Sequence, residues 1–446
     1  MPSKEKPSIW QRAAKLAQQT PPSRNRYVDF LRAASIIVVI CGHWLVVAPY
    51  LNGDELMLPD ILSISPWTQW LTWIVQIMPI FFVVGGFANA TSWSSTQRKG
   101  TSYNLWLSAR LRRLISPVLP VLVVWAVIGL VANAFHVDKV ILKAASAFAF
   151  LPAWFLVVYI VVVAFVPLTY WAWEKVQLRS FWLLVAGAIV VDVIAFAGNL
   201  RWVGWFNYIF IWLAVHQLGF AWQARYFNST RTSLFWALGG LLALSALVYF
   251  GPYPVSMVSV QGEEISNTLP PNLTMLALGI FQGGLLLSLE KPLRRWLDHP
   301  KIWTSTILIN GMIMTVFLWH VTVLVLVSVL GLALGGIGLR IAPGTSAWWL
   351  TRPVWILVLG SILLLVTPIF VRYEQVRSKG DARHPHLWQS LLGAFLFCYG
   401  MALLTLNGVP EDNGFGIRIV ELTMPFVGAF LIGLIKFPVK DKKYRI

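Results

Sequence analysis

Arg32 and His43 stand eleven residues apart in the run RYVDFLRAASIIVVICGHW, which extends from Arg26 to Trp44. On an α-helix, eleven steps of about 100° close to within roughly 20° of three turns, so the two residues share a face about 16 Å apart along the axis. With Arg32 at a membrane surface, His43 falls near the middle of a hydrocarbon layer about 30 Å thick. An ionisable group at that depth is by default a functional candidate. One reading makes His43 a general base, which needs the uncharged ring that apolar surroundings favour. The other makes it a histidine hydrogen-bonded inside a helix bundle with no chemical role. Arg32 could hold an anion, or it could anchor the helix by snorkelling to the surface.

Other polar residues in apolar runs are candidates for the same chemistry. Asp192 falls mid-run, where a carboxylate is costly unless it meets a base, water or a substrate. His216-Gln217 and His320 also lie well inside apolar stretches; each could contact a reactant or make an interhelical hydrogen bond. Arg110, Arg112 and Arg113 cluster between two apolar runs. They offer bidentate partners for phosphate, and equally for anionic lipid. His136, His299, His384 and His386 lack metal-ligand spacing, so no metal site is expected. Cys41 and Cys398 both lie in predicted helices, which argues against a disulfide framework.

The elements that must position these groups are long apolar helices. The chain has 446 residues, of which 57% are hydrophobic and only 12% charged. That composition excludes an ordinary soluble domain and a disordered chain. The apolar runs are continuous rather than alternating, so the fold class is an all-α polytopic transmembrane bundle, not a barrel. About twelve spans are predicted, near 33–50, 67–89, 115–135, 147–171, 181–198, 203–222, 234–250, 272–289, 304–332, 346–371, 388–406 and 415–436. No secretory leader is expected, because residues 1–26 are polar and basic and the first apolar run is long enough to span.

With the N-terminus in the cytoplasm, the inner segments hold all of the 35 Lys and Arg except Lys139, Lys143, Arg201, Arg340, Arg352 and Arg418. The outer loops hold Asp54, Glu55, Asp60, Asp138, Glu263, Glu264, Glu411 and Asp412. This asymmetry places both termini in the cytoplasm and accounts for the net charge of +17 without a nucleic-acid partner. Residues 8–17 put Ile9, Trp10, Ala13, Leu16 and Ala17 opposite Arg12 and Lys15, as a short helix lying on the bilayer does. The expected organisation is a basic segment over 1–32, one transmembrane domain over 33–372, and two additional helices with a basic tail over 388–446.

Five stretches in order resemble the acyltransferase-3 family of integral membrane acyltransferases. Asp29-Phe30-Leu31-Arg32 followed by His43 is similar to its R-x10-H signature. Pro79-Ile80-Phe81-Phe82-Val83-Val84-Gly85-Gly86-Phe87 is similar to FFVLSGF, with Gly85 where the family usually has serine. That departure removes any role for the serine hydroxyl. Arg110-Leu111-Arg112-Arg113-Leu114-Ile115-Ser116-Pro117 is similar to R-x-x-R-x-x-P, Ala153-Trp154-Phe155-Leu156 to a WFL element, and Phe317-Leu318-Trp319-His320 to Y-L-x-H. Twelve spans exceed the ten usual in that family, so the last two read as an addition.

The resemblance implies transfer of an acyl group, commonly acetyl, from acyl-CoA to a hydroxyl of a cell-envelope sugar or lipid, in the inner (cytoplasmic) membrane. A glycolipid or carbohydrate acceptor is expected. In this reading His43 is the base, with direct transfer and a covalent acyl-histidine both open. His320 and Asp192 join it, and Arg32, Arg110, Arg112 and Arg113 hold the CoA phosphates. Phe81 and Phe82 wall the thioester tunnel or simply pack helices. Trp154, His216 and Gln217 face the acceptor. The rival class is a twelve-span transporter or flippase, against which stands the loop between spans two and three, with no glycine-aspartate core. A non-catalytic lipid scramblase would show no dependence on His43.

Overall fold

The computed structural model describes residues 8–21, 24–53, 55–374 and 385–435. Lys4, Lys6, Asp54, Arg377, Lys379, Arg383 and the basic tail 436–446, which enter the charge argument, lie outside the described residues, as does His384.

Helices dominate the described chain. In order they are α1 Ile9–Gln18, α2 Arg26–Val46, α3 Ile61–Ile64, α4 Thr72–Val75, α5 Met78–Arg98, α6 Tyr103–Ile115 and α7 Leu119–Ala134. Next come α8 Lys139–Ala164, α9 Val166–Val176, α10 Leu178–Phe196, α11 Asn207–Gln223, α12 Thr230–Phe250 and α13 Leu273–Ser288. The last are α14 Glu290–Trp296, α15 Pro300–Asn310, α16 Ile313–Ala333, α17 Ser346–Phe370, α18 Leu387–Asn407 and α19 Ile419–Leu431. A two-stranded hairpin, β1 Tyr50–Asn52 with β2 Glu55–Met57, follows α2.

Among the described residues, nine helices are long and apolar enough to cross a membrane, or ten if the bent pair α13–α14 counts as one. The protein is therefore a multi-pass, all-α membrane protein. Two expected spans correspond to shorter helices, the 17-residue α11 and the 13-residue α19. The expected single span 304–332 is instead two helices, α15 and α16, separated at Gly311 and Met312. The loop expected over 90–114 is largely helical, because α5 runs on to Arg98 and α6 opens with Ser102 accepting from the Leu105 amide.

The chain divides into two compact units. The first contains Met1–Ser95 and Phe165–Leu365; the second contains Thr96–Ala164 and Val366–Ile446. Residues 388–435 therefore belong to the same unit as α6–α8.

In the first unit, α1 begins with a capping box in which Ser8 and Gln11 satisfy each other's backbone amides. Its buried Ala13 and Ala17 meet α15, while Ile9 and Leu16 stay exposed beside them, as expected of a helix lying at a bilayer surface. The α2 helix packs on α15 and α16, and α12 runs along α13. Lipid provides no hydrophobic drive between spans, so association depends on close packing and interhelical hydrogen bonds. Gly86 of α5 and Gly219 of α11 show this most clearly: a Cβ on Gly86 would sit 1.9 Å from the His216 carbonyl oxygen, and one on Gly219 2.1 Å from that of Val83.

The C-terminal end of α2 is covered by residues 47–75 and 251–272. Ala48, Ile61, Leu62, Val260 and Trp348 form a small apolar core there. Asp60 accepts from the backbone amides of Ser63 and Gln261, each at 2.6 Å, which ties the two cover segments together.

In the second unit, α18 packs against α8 and α19. The Arg112 Nε donates to the Ile432 carbonyl at 2.7 Å, at the C-terminal end of α19, where a cation is favoured. Ser146 Oγ accepts from the Val409 amide at 2.9 Å.

Candidate active site

Two helices, α2 and α16, place the central pair, His43 and His320, which are 277 residues apart in sequence. The α2 helix starts at the Asn25 cap, whose side chain accepts from the amides of Tyr27 and Val28, and it runs unbroken to Val46. Arg32 and His43 therefore keep the single-helix relationship read from their spacing. His43 stands three residues from the end of α2, so along this helix it is terminal rather than central. It is half-buried, whereas His320 on α16 is fully enclosed.

His43 Nδ1 lies 2.8 Å from His320 Nε2. The rings are within 6° of parallel with centroids 5.1 Å apart. The centroid separation exceeds the nitrogen separation by about the two ring radii, so the bond runs in line between the rings rather than across a face-to-face stack. His320 Nδ1 lies 2.5 Å from the Phe317 carbonyl oxygen. A carbonyl only accepts, so His320 Nδ1 carries a proton and donates it. In an uncharged ring His320 Nε2 must then accept, and His43 Nδ1–H must donate. His43 Nε2 is left with a lone pair and no hydrogen-bond partner among the described residues. Trp44 Nε1 donates to the His320 backbone carbonyl at 3.0 Å, a second bond from the same turn of α2 to the same residue of α16.

The other residues singled out from the sequence occupy defined places. Asp192 does not face a histidine: its carboxylate accepts from Asn207 Nδ2 at 2.6 Å, from Tyr253 Oη at 2.8 Å and from the Leu273 amide at 2.9 Å. It joins α10 to the start of α11, to the segment after α12 and to the first turn of α13. Burial, and then the neighbouring carboxylate, hold the Tyr253 phenol well above its ordinary range, so it remains a donor. His216 Nε2 pairs with Asn89 Nδ2 at 3.1 Å in the α5–α11 seam. Gln217 accepts from Ser180 Oγ at 3.0 Å and donates to the Thr169 carbonyl at 3.3 Å, linking α11 to α9 and α10. Phe82 is fully buried and stacked on Trp212, with centroids 4.4 Å apart; Phe81 is half-buried.

Arg110, Arg112, Arg113 and Trp154 lie in the second unit. Arg110 stands over the Trp106 ring at 5.5 Å, Arg112 holds the end of α19, Arg113 is exposed, and Trp154 is half-buried on α8.

Sequence reading missed Trp44, the Phe317 carbonyl and Tyr253. The first two had a local signal. Trp44 directly follows the candidate base, and a helical histidine always has the carbonyl three residues earlier within reach. Tyr253 had none.

A multi-pass helical protein whose helices are joined by an in-line pair of histidines is compatible with acyl-transfer chemistry. The family comparison agrees: the sequence model of the acyltransferase-3 domain matches residues 25–373, and the chain belongs to that family. Neither the curated proteins nor the solved structures gave a match.

Proposed function

We propose that this protein moves an acyl group, most simply acetyl, from acyl-CoA to a hydroxyl of a glycolipid or carbohydrate of the cell envelope. The single observation that supports this reading most is the chain Phe317 carbonyl–His320–His43, which leaves His43 Nε2 as an open lone pair.

In this mechanism the acceptor hydroxyl gives its proton to His43 Nε2 as its oxygen attacks the thioester carbonyl. The positive charge that forms on His43 is shared through Nδ1–H with His320 Nε2. The tetrahedral adduct then collapses, the carbon–sulfur bond breaks, and the CoA sulfur takes the proton from His43 Nε2. Arg32, on the same helix about 16 Å away, meets the phosphates of the donor, a separation the extended pantetheine arm can span. Arg110, Arg112 and Arg113 keep the phosphate-binding role proposed for them on charge. Asp192 is given a structural part in this reading, tying α10 to α11 and α13 through its three donors. The charge asymmetry supports an inner-membrane setting with both termini in the cytoplasm and donor delivered from that side.

The test uses the full-length protein in nanodiscs, supplied with labelled acetyl-CoA and an envelope lipid and carbohydrate extract. Wild type should transfer label to one acceptor fraction, and His43→Ala should release CoA at the uncatalysed rate. Undiminished transfer by the folded variant would rule out the base assignment. Acid quenching during turnover distinguishes direct transfer from an acyl-histidine, which would leave label on the protein.

A further inference from the structure

The mechanism above makes no use of Arg352, a guanidinium buried in the first third of α17. The charge count from sequence placed it among the outer residues. In the structure it belongs to the stripe Trp348, Arg352, Trp355, Leu359 and Leu363, each at most 9% exposed, which is the buried face of that helix. Arg352 itself is 5% exposed. Its Cζ lies 4.3 Å from the Trp348 ring centroid and 5.3 Å from that of Trp355. Its Nε donates to the Trp348 carbonyl of its own helix at 3.3 Å. Among the described residues no carboxylate pairs with it, and its terminal nitrogens have no hydrogen-bond partner. Trp355 Nε1, also buried, has none either.

A guanidinium is always charged, and buried cations are normally paired with an anion. Two indole faces attract the cation but leave its in-plane donors unused. Here the guanidinium of a side chain only 5% exposed and a buried, unpartnered indole N–H lie within a turn of each other on one face of α17, with no protein acceptor for either among the described residues. The location is informative. Trp348, one turn away, packs on Ala48, Ile61, Leu62 and Val260, the cover over the end of α2 that carries His43. Gly338 of the preceding loop lies against the Trp355 ring. Trp67 and Trp349, with centroids 5.7 Å apart, extend the aromatic surface outward from the same cover.

We propose that Arg352, with Trp355 Nε1, forms the subsite for an anionic group, a phosphate or a carboxylate, borne by the acceptor. Naming the acceptor as its bearer rests on the acyl-transfer reading; the anion site itself does not. An oxyanion there would take a two-pronged guanidinium contact, with the indole N–H one turn along the helix as a further donor. A lysine in the same place would offer a point charge without that fork.

The experiment is calorimetric titration of the full-length protein in nanodiscs, with empty nanodiscs subtracted. The probes are decyl phosphate, decyl glucuronide and neutral decyl glucoside, with sodium phosphate and sodium glucuronate as soluble counterparts. Wild type should bind one anionic amphiphile about tenfold or more tighter than the neutral one. Arg352→Met should erase that preference, and Arg352→Lys should retain part of it. Trp355→Phe, which keeps the ring and removes the donor, should weaken the anion a few-fold with an unchanged melting temperature, and it decides the matter if Arg352→Met does not fold. Preference for decyl phosphate assigns a lipid-borne phosphate, and preference for the glucuronide an acidic sugar. A response to the soluble salts alone, or equal binding of charged and neutral probes by wild type and variants, overturns the proposal. His43→Ala should bind the anionic probe as wild type does. Transfer surviving in that variant sinks the acyl-transfer mechanism and leaves the anion site standing; unaltered anion preference in Arg352→Met and Trp355→Phe does the reverse.

Discussion

The α-carbon of Gly86 rests against the backbone carbonyl of His216, so near that a methyl group added there would lie 1.9 Å from the oxygen. Backbone, not a flexible side chain, blocks the space. Gly86→Ala should therefore push α5 from α11 and cost about 1–3 kcal/mol or more, read as a fall in melting temperature in nanodiscs. Gly239→Ala, on α12 with nothing within 4 Å of the new carbon, is the matched control and should be neutral or slightly stabilising. Equal melting temperatures for the two variants would mean the α5–α11 contact is looser than described.

Loss of His320 should reduce turnover without abolishing donor binding. His320→Ala leaves His43 Nδ1–H without its acceptor, and kcat should fall by about 10²-fold with KM for acetyl-CoA little changed. Trp44→Phe keeps the ring and deletes only the bond to the His320 carbonyl, so a smaller loss in kcat is expected. If His320→Ala turned over as wild type does, the pairing would be structural only.

Asp192 should prove a stability residue. An amide in its place presents one acceptor where three donors converge, so Asp192→Asn should lower stability by about 1–3 kcal/mol while the folded fraction keeps its kcat. Tyr253→Phe should cost about 1 kcal/mol, and the double variant less than the sum, because the two share a bond. Additive losses would show that Tyr253 and Asp192 act independently.

Arg32→Ala should raise KM for acetyl-CoA by about tenfold and change kcat less, with Arg32→Lys intermediate because it keeps charge and loses the fork. Arg113→Ala, which removes an exposed guanidinium, should raise KM by a smaller factor. Unchanged KM in both alanine variants would dismiss the phosphate role.

The helices themselves were readable because each carries its own signal. The Ser8–Gln11 box and the apolar face of α1 are local, and so is the eleven-residue spacing of Arg32 and His43. What could not be read is which faces meet. Apolar spans are apolar all round, so nothing local says that the His43 face of α2 turns toward His320. The break at Gly311 was hidden because Asn310-Gly311 interrupts an apolar run without reducing its hydropathy much. The surroundings of Arg352 were hidden for a different reason: the charge count gives only a side of the membrane, and says nothing of the two indoles its guanidinium lies over. Asp192 looked reactive because nothing local pairs it with Asn207 and the Leu273 amide, which open two other helices, or with Tyr253 in the segment after α12.

His320 receives two bonds from consecutive residues of α2, one at its imidazole and one at its backbone. Together they act as a ruler and a protractor: sliding α2 along its neighbour stretches both, and rolling it shears one against the other. The His43 ring is thereby clamped in a rigid frame. On the proposed acyl-transfer reading, admission of donor and acceptor is then the work of segments other than this helix pair.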